Sequence, residues 1–188
     1  RVVNIANPAV PVEVGYYITP SRASGVAVLG SYAYLGDYPN GLWVLGISDP
    51  ANPVEAGVLL TPDGARDVAI FGDYAYVVNE SGWGEGVGLL VANITDPANP
   101  VDVGFYSTPG SAHDVAVSGG YAFVADMNHG LHVVSVTDPA DPVEVSFYAT
   151  PGDVYRVEIS NGYAYVAGYH SGLWVVSIAN PFNPVILG

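Results

Sequence analysis

One dipeptide recurs along this chain at a nearly fixed interval, and that interval leaves few folds open. Pro-Val begins at Pro11, Pro53, Pro100, Pro142 and Pro184, with steps of 42, 47, 42 and 42 residues. A second marker, Tyr-Ala followed by Tyr or Phe, begins at Tyr32, Tyr74, Tyr121 and Tyr163 and steps in the same register. Both record one five-residue insertion, in the Gly-rich stretch around Ser81 to Gly86. A unit of this length, repeated four times, points to stacked copies of one supersecondary element rather than to a single asymmetric core.

Each period reads as four short strands. In the third unit they are HDVAVSGG, YAFVAD, LHVVSVT and PVEVSFYAT, each rich in Val, Tyr or Phe and bounded by Gly, Pro, Asp or Asn. Asp49-Pro50, Asp96-Pro97 and Asp138-Pro139, with Asn7-Pro8 and Asn180-Pro181, supply a turn after the third strand. The second Pro, three residues on, opens the fourth strand; lacking an N–H, it suits an exposed sheet edge. The strands near Val26, Val68, Val115 and Val157 carry Ala27, Ala69 and Ala116, small enough for the crowded centre of a ring. The expectation is an all-β chain, a β-propeller of four repeats of about 42 residues, each a four-stranded blade. It forms one domain: a partial repeat over 1–20, then repeats over 21–62, 63–109, 110–151 and 152–188. Its innermost strands are expected near Gly25–Leu29, Asp67–Phe71, Asp114–Ser118 and Arg156–Ser160.

Charge narrows the function classes. The chain holds 18 acidic residues against four Arg, a formal net charge of −14. Such a surface repels phosphate backbones and anionic membranes, which argues against nucleic-acid binding. No apolar run approaches the length of a membrane span. Cys is absent, so neither disulfides nor thiol chemistry is on offer. The start at Arg1, without Met or leader, reads as a processed or excised segment. Asn79-Glu80-Ser81 and Asn93-Ile94-Thr95 are sequons of the kind that chance supplies in a chain rich in Asn and Ser.

The segments GLWVLGISDPANPVEAG, VGLLVANITDPANPVDVG and LHVVSVTDPADPVEVS resemble LVIVD repeats, and the resemblance covers essentially the whole chain. It implies a propeller fold and a place among bacterial or archaeal secreted or surface proteins. The family's motifs mark turns and strand cores, and they carry no agreed catalytic residues.

The search for chemistry returns little. Without Cys or a G-x-S-x-G elbow, no nucleophile is marked. The Asx-bearing loops at Asp37-Tyr38-Pro39-Asn40 and Asp126-Met127-Asn128 could approach Ca²⁺, yet they lack the D-x-D-x-D-G run and read better as hairpin-shaping residues. Neither a metal nor a cofactor is expected. His132, alternating with Val133, is expected on a solvent face. The richest candidate lies where the inner strands begin: Arg66-Asp67, His113-Asp114 and Tyr155-Arg156 occupy equivalent positions, with Ser24-Gly25 in the first unit. Arg22, Arg66 and Arg156 all fall in this zone. Converging at a channel mouth, these six residues could hold a carboxylate through Arg forks. The competing reading is structural, with Arg156 paired to Asp114 across adjacent blades and Glu158 as a further partner. Trp83, in the inserted loop, is a candidate partner contact.

The reading favoured by the sequence is a non-enzymatic structural or interaction module of a secreted or cell-surface protein. Arg1–Gly15 and Trp174–Gly188 are the same stretch of the repeat, so surplus strand edges are expected to pair with another copy, as a homo-oligomer or filament, or with continuing chain. The alternatives are a small-ligand or glycan-binding propeller, or a lyase or hydrolase using His113 and Tyr155 as acid–base groups with Arg66 as stabiliser.

Overall fold

The structure is a computed structural model that describes residues 1–61, 63–79 and 88–187 and the backbone of Glu80; no helix occurs among them. A short ribbon, β1 (Val2–Asn4) with β2 (Val12–Gly15), opens the chain. Sheet 1 follows with β3 (Arg22–Leu29), β4 (Tyr32–Tyr38), β5 (Gly41–Gly46) and β6 (Val54–Leu60). Sheet 2 holds β7 (Gly64–Phe71), β8 (Tyr74–Glu80), β9 (Gly88–Asn93) and β10 (Val101–Ser107). Sheet 3 holds β11 (Asp114–Ser118), β12 (Tyr121–Ala125), β13 (Leu131–Ser135) and β14 (Val143–Tyr148). Sheet 4 holds β15 (Val154–Ser160), β16 (Tyr163–Gly168), β17 (Gly172–Ser177) and β18 (Val185–Ile186). Within each sheet the four strands pair antiparallel in sequence order.

Local chemistry sets these elements. The first hairpin of every sheet turns through two residues, and its first position has positive φ at Gly30, Gly72, Gly119 and Asn161. Left-handed backbone is what a two-residue hairpin demands, and Gly or Asn supplies it at least strain. After every third strand the Asx-Pro pair builds a double turn. In sheet 1, Asn52 N–H donates to the Asp49 carbonyl at 3.0 Å, and Ala51 N–H donates to the Asp49 side chain at 3.0 Å. Asn7, Asp96, Asp138 and Asn180 repeat both bonds. The Pro-Val strand is the far edge of each sheet, with Val54, Val101 and Val143 exposed.

The sheets stack face to face through three apolar seams. Tyr34, Leu42 and Val44 of sheet 1 meet Ala65, Val68, Ala75 and Val77 of sheet 2. Tyr76, Val78, Leu89 and Val91 carry the pattern to sheet 3, and Phe123, Ala125, Leu131 and Val133 carry it to sheet 4. At the periphery each outer strand abuts the Asx-Pro turn of the next sheet. A Cβ on Gly15, Gly57 or Gly104 would collide with the carbonyl oxygen of Pro50, Pro97 or Pro139. Ser146 stands at the equivalent place, and its hydroxyl donates to the Pro181 carbonyl. At the centre the first strands lie side by side in the order β3, β7, β11, β15, and no comparable packing joins β15 to β3. The described residues therefore form an array of four sheets without a closed sheet among them.

Two details differ from the sequence reading. Three inner strands begin earlier than expected, at Arg22, Gly64 and Val154, while β11 starts at Asp114. A β-bulge at the start of each strand lets pairing continue past it: register slips between Ala23 and Gly25, Ala65 and Asp67, and Val154 and Arg156. His132 is also not on a solvent face, being 3% exposed. A strand stacked between two neighbouring sheets has no outer face, so alternation along β13 does not separate inside from outside.

Candidate functional site

The bulges organise the rim of the array. Each places one extra residue, Ser24, Arg66 or Tyr155, opposite the second strand and re-aims the side chain that follows. In sheet 3, His113 and Asp114 both face Ala125, since His113 N–H donates to the Ala125 carbonyl at 2.8 Å while Asp114 pairs with the same residue. The residues after the bulges, Gly25, Asp67, Asp114 and Arg156, form one row across the four inner strands.

That row is linked from sheet to sheet. Asp67 accepts the Val115 N–H at 3.4 Å, and Asp114 accepts the Val157 N–H at 2.6 Å. Arg156 Nη1 donates to the second Asp114 oxygen at 2.6 Å. Gly25 is the space that Asp67 needs, since a Cβ there would collide with Asp67 Oδ1. Burial, followed by the hydrogen bond and charge of Asp114, pushes Asp67 up to about 7. Asp114 holds the Arg156 guanidinium above its ordinary value against the opposing effect of partial burial. Asp67, Asp114, Arg156 and Glu158 line a cavity of about 620 Å³ whose other walls are Val26, Ala69, Ala116, Tyr165 and Leu173.

Of the six rim residues singled out by sequence, the structure brings Asp67, Asp114 and Arg156 together on this cavity. Arg66, His113 and Tyr155 sit one residue back, on the bulges, outside its lining. The His113 and Tyr155 rings pack edge to face at 4.7 Å, and Tyr155 also meets Tyr169 at 5.3 Å. Arg156 is engaged by Asp114, and Arg22 lies over the Tyr38 ring at 5.4 Å. Trp83 lies outside the described residues. Asn79, of the first sequon, is buried in β8.

A second polar cluster was missed by the sequence reading. His132 Nδ1 lies 2.6 Å from Glu144 Oε2, and its Nε2 lies 3.4 Å from Asp126 Oδ2. Tyr106 of sheet 2 donates its hydroxyl to the same Glu144 oxygen, stapling sheet 2 to sheet 3. Burial alone would lower the His132 pKa, but hydrogen bonds and charge from Asp126 and Glu144 prevail and raise it. Burial would raise Glu144, yet Tyr106 and His132 hold it below the usual carboxylate range. A cavity of about 270 Å³ lies beside this cluster, bounded by Tyr106, Pro109, His129, His132, Glu144 and Phe147. The same staple recurs between the ribbon and sheet 1, where Glu55 accepts from Tyr17 at 3.0 Å and from Trp43 at 3.2 Å. Alignment of His132 with Trp43, and of Glu144 with Glu55, is the signal that could have revealed it.

Asp126 and Asp37 shape their hairpins and do more. Their buried carboxylates accept the N–H of Gly110 at 2.8 Å and of Ser21 at 3.2 Å, tying down the segment that leads into the inner strand. Among the described residues, no three His, Asp or Glu side chains are arranged to hold a metal ion.

The two ends of the array differ from its interior at equivalent positions. Val68, Val115 and Val157 are at most 5% exposed, whereas Val26 is 63% exposed. Leu42, Leu89 and Leu131 are fully buried, whereas Leu173 is 58% exposed. Ala65, Ala112 and Val154 are buried; Ala23 is exposed.

The family model described as the LVIVD repeat matches residues 20–61, 63–108, 109–150 and 151–188. No curated protein matches the chain. Among solved structures, the computationally designed protein Ika8 is similar with a TM-score of 0.69 at 8% identity, over 86% of this chain and 48% of its own. The computationally designed Ika4 is similar with a TM-score of 0.68 at 8% identity, over 88% of this chain and 96% of its own. The chain thus spans about half the length of Ika8, and at such identity the likeness is one of fold alone.

Proposed function

Because the chain belongs to the LVIVD repeat family, whose repeat it carries four times, we propose that it is a non-catalytic structural and protein-interaction module that self-associates through its two ends, its sheets serving as blades of a β-propeller. The observation that carries this reading is the contrast between end and interior. Val26 and Leu173 belong to columns that are otherwise sealed between sheets, so the array presents one unmatched copy of each half of its own seam. An exposed apolar face of this kind marks an interaction surface. The polar rim supports the same reading, because Asp67 and Asp114 direct hydrogen bonds to backbone N–H groups of the neighbouring sheet. Resemblance to a family of secreted and surface proteins supports an extracellular or cell-surface setting, and a net charge of −14 suits solubility there.

The experiment is light scattering over a range of protein concentrations. Assemblies at multiples of 19.5 kDa are expected, with Leu173→Asp returning the protein to 19.5 kDa and its β-sheet circular dichroism unchanged. Wild-type protein at 19.5 kDa at every concentration overturns the reading.

A further inference from the structure

We infer that the β1–β2 ribbon is a displaceable cover on sheet 1, and that sheet 4 of a second copy takes its place; this rests on the self-association proposed above. The ribbon imitates the outer half of a preceding sheet. Its register, Val2 with Gly15 and Val3 with Glu13, carries the same bulge as Val44 with Gly57 and Leu45 with Glu55 in sheet 1. It is seated the same way, with Gly15 against the Pro50–Ala51 turn and Tyr17 bonded to Glu55.

Only half of the docking face is covered, however. Ala33, Trp43 and Leu45 are buried in a cluster that Tyr17, just after the ribbon, helps to close, while Ala23 and Val26, further toward the centre, stay exposed. The ribbon itself leaves Val3, Ile5, Val10, Val12 and Val14 exposed, and a two-stranded sheet is marginally stable on its own. A complete sheet makes a better cover. Sheet 4 carries Tyr165, Ala167, Leu173 and Val175 where sheet 1 carries Tyr34, Gly36, Leu42 and Val44 against sheet 2. Seated on sheet 1 of another copy in the geometry used three times within the chain, these residues would bury Leu173 together with Ala23 and Val26. The contact is heterologous, so it closes a ring or extends a filament according to the rotation it imposes.

Ala167 should then meet Ala23, as Ala125 shares a buried cluster with Val154 at the last internal seam. The chain contains no Cys, so the variant Ala23→Cys with Ala167→Cys gives an unambiguous crosslink. Mild oxidation followed by a non-reducing gel and mass spectrometry is expected to show disulfides between copies, only when both substitutions are present. A disulfide within one chain would mean that the array closes on itself, which overturns the inference. Assemblies in light scattering without crosslinking overturn this docking mode but leave the proposed function standing; monomer throughout overturns both. The cover is tested separately by Gly15→Ala, whose Cβ collides with the Pro50 carbonyl oxygen, and by Tyr17→Phe, which removes the bond to Glu55 without added bulk. Each is expected to shift association to lower protein concentration, by about tenfold. Unchanged or weaker association in both variants would refute the ribbon's role as a cover.

Discussion

Leu131 and Leu173 occupy the same position in successive units, and they should respond very differently to truncation. Leu131 is fully buried in the seam between sheets 3 and 4, in a cluster with Val154, Val157 and Trp174. Replacing it with Ala removes buried methyl groups and leaves a cavity that two opposed sheets cannot collapse to fill. The expected loss is about 3 kcal/mol. Leu173 is 58% exposed, so less than half of its transfer free energy is realised in the isolated chain, and Leu173→Ala should lose about 1 kcal/mol or less. Urea unfolding followed by Trp fluorescence, at protein concentrations low enough to keep the chain monomeric, measures both. Equal losses would mean that the end face of sheet 4 is already covered in the single chain, and the contrast between interior and ends would fall with it. At high protein concentration the Leu173→Ala deficit should grow, since the residue then loses an intermolecular contact as well.

Three further outcomes are expected. Asp67, raised to about 7, binds its proton more tightly folded than unfolded, so its contribution is present in acid and is lost as pH rises from about 4 through 7. His132, also raised, is stabilising below its unfolded pKa and loses that contribution as pH rises through the folded value; Glu144, lowered, contributes above its unfolded pKa and fails only in stronger acid. Thermal unfolding should therefore show a higher Tm at about pH 5.5 than at about pH 8, with Asp67→Asn flattening the slope; a Tm that rises across this window would contradict the signs. Arg156 is 62% exposed at its side chain and Asp114 8%, so Arg156→Ala should lose about 1 kcal/mol or less while Asp114→Ala, which strands the Val157 N–H, loses about 2 kcal/mol. Urea midpoints would show it, and equal losses would assign the effect to the ion pair instead. Finally, copies carrying −14 each repel, so raising ionic strength from about 0.01 to about 0.15 M should shift assembly to lower protein concentration in light scattering; the opposite trend would mean that charge attraction drives the contact.

How much of this was legible depends on what each signal encodes. Pro-Val and Tyr-Ala-Tyr mark strand starts, and Asx-Pro marks a turn whose hydrogen bonds are local, so the four-stranded meander could be read residue by residue. The Arg156–Asp114 pair was legible because equivalent columns in successive units lie side by side. The bulges at Ser24, Arg66, His113 and Tyr155 were not: one extra residue leaves no mark in a period of two, yet it decides that Asp67 lines the cavity while Arg66 does not. His132 was misplaced for a related reason. Period-two alternation reports burial only where one face of a sheet meets water, and β5 and β9 are buried on both. Whether four units close a ring was not legible, because unit length governs each sheet and its neighbour, not the angle summed over all of them.

The repetition of one seam, Asx-Pro turn against outer strand and Leu column against Val column, makes the array a one-dimensional lattice. The buried apolar clusters each join one sheet to the next, so stability accumulates largely by nearest-neighbour terms rather than from one shared core. Excising a whole unit, such as the residues of sheet 2, would bring Leu42 against Val115, a meeting of the same two residue types that already exists at every seam. Length can therefore change in steps of one unit with the Leu–Val and turn contacts of the seam kept, at the loss of unit-specific bonds such as Tyr106 to Glu144, whereas a change of part of a unit would misalign every later turn. Opening follows the same logic. A terminal sheet has one sealed face and an interior sheet has two, so amide exchange should spread inward from sheet 4, with β8 and β12 the last to yield.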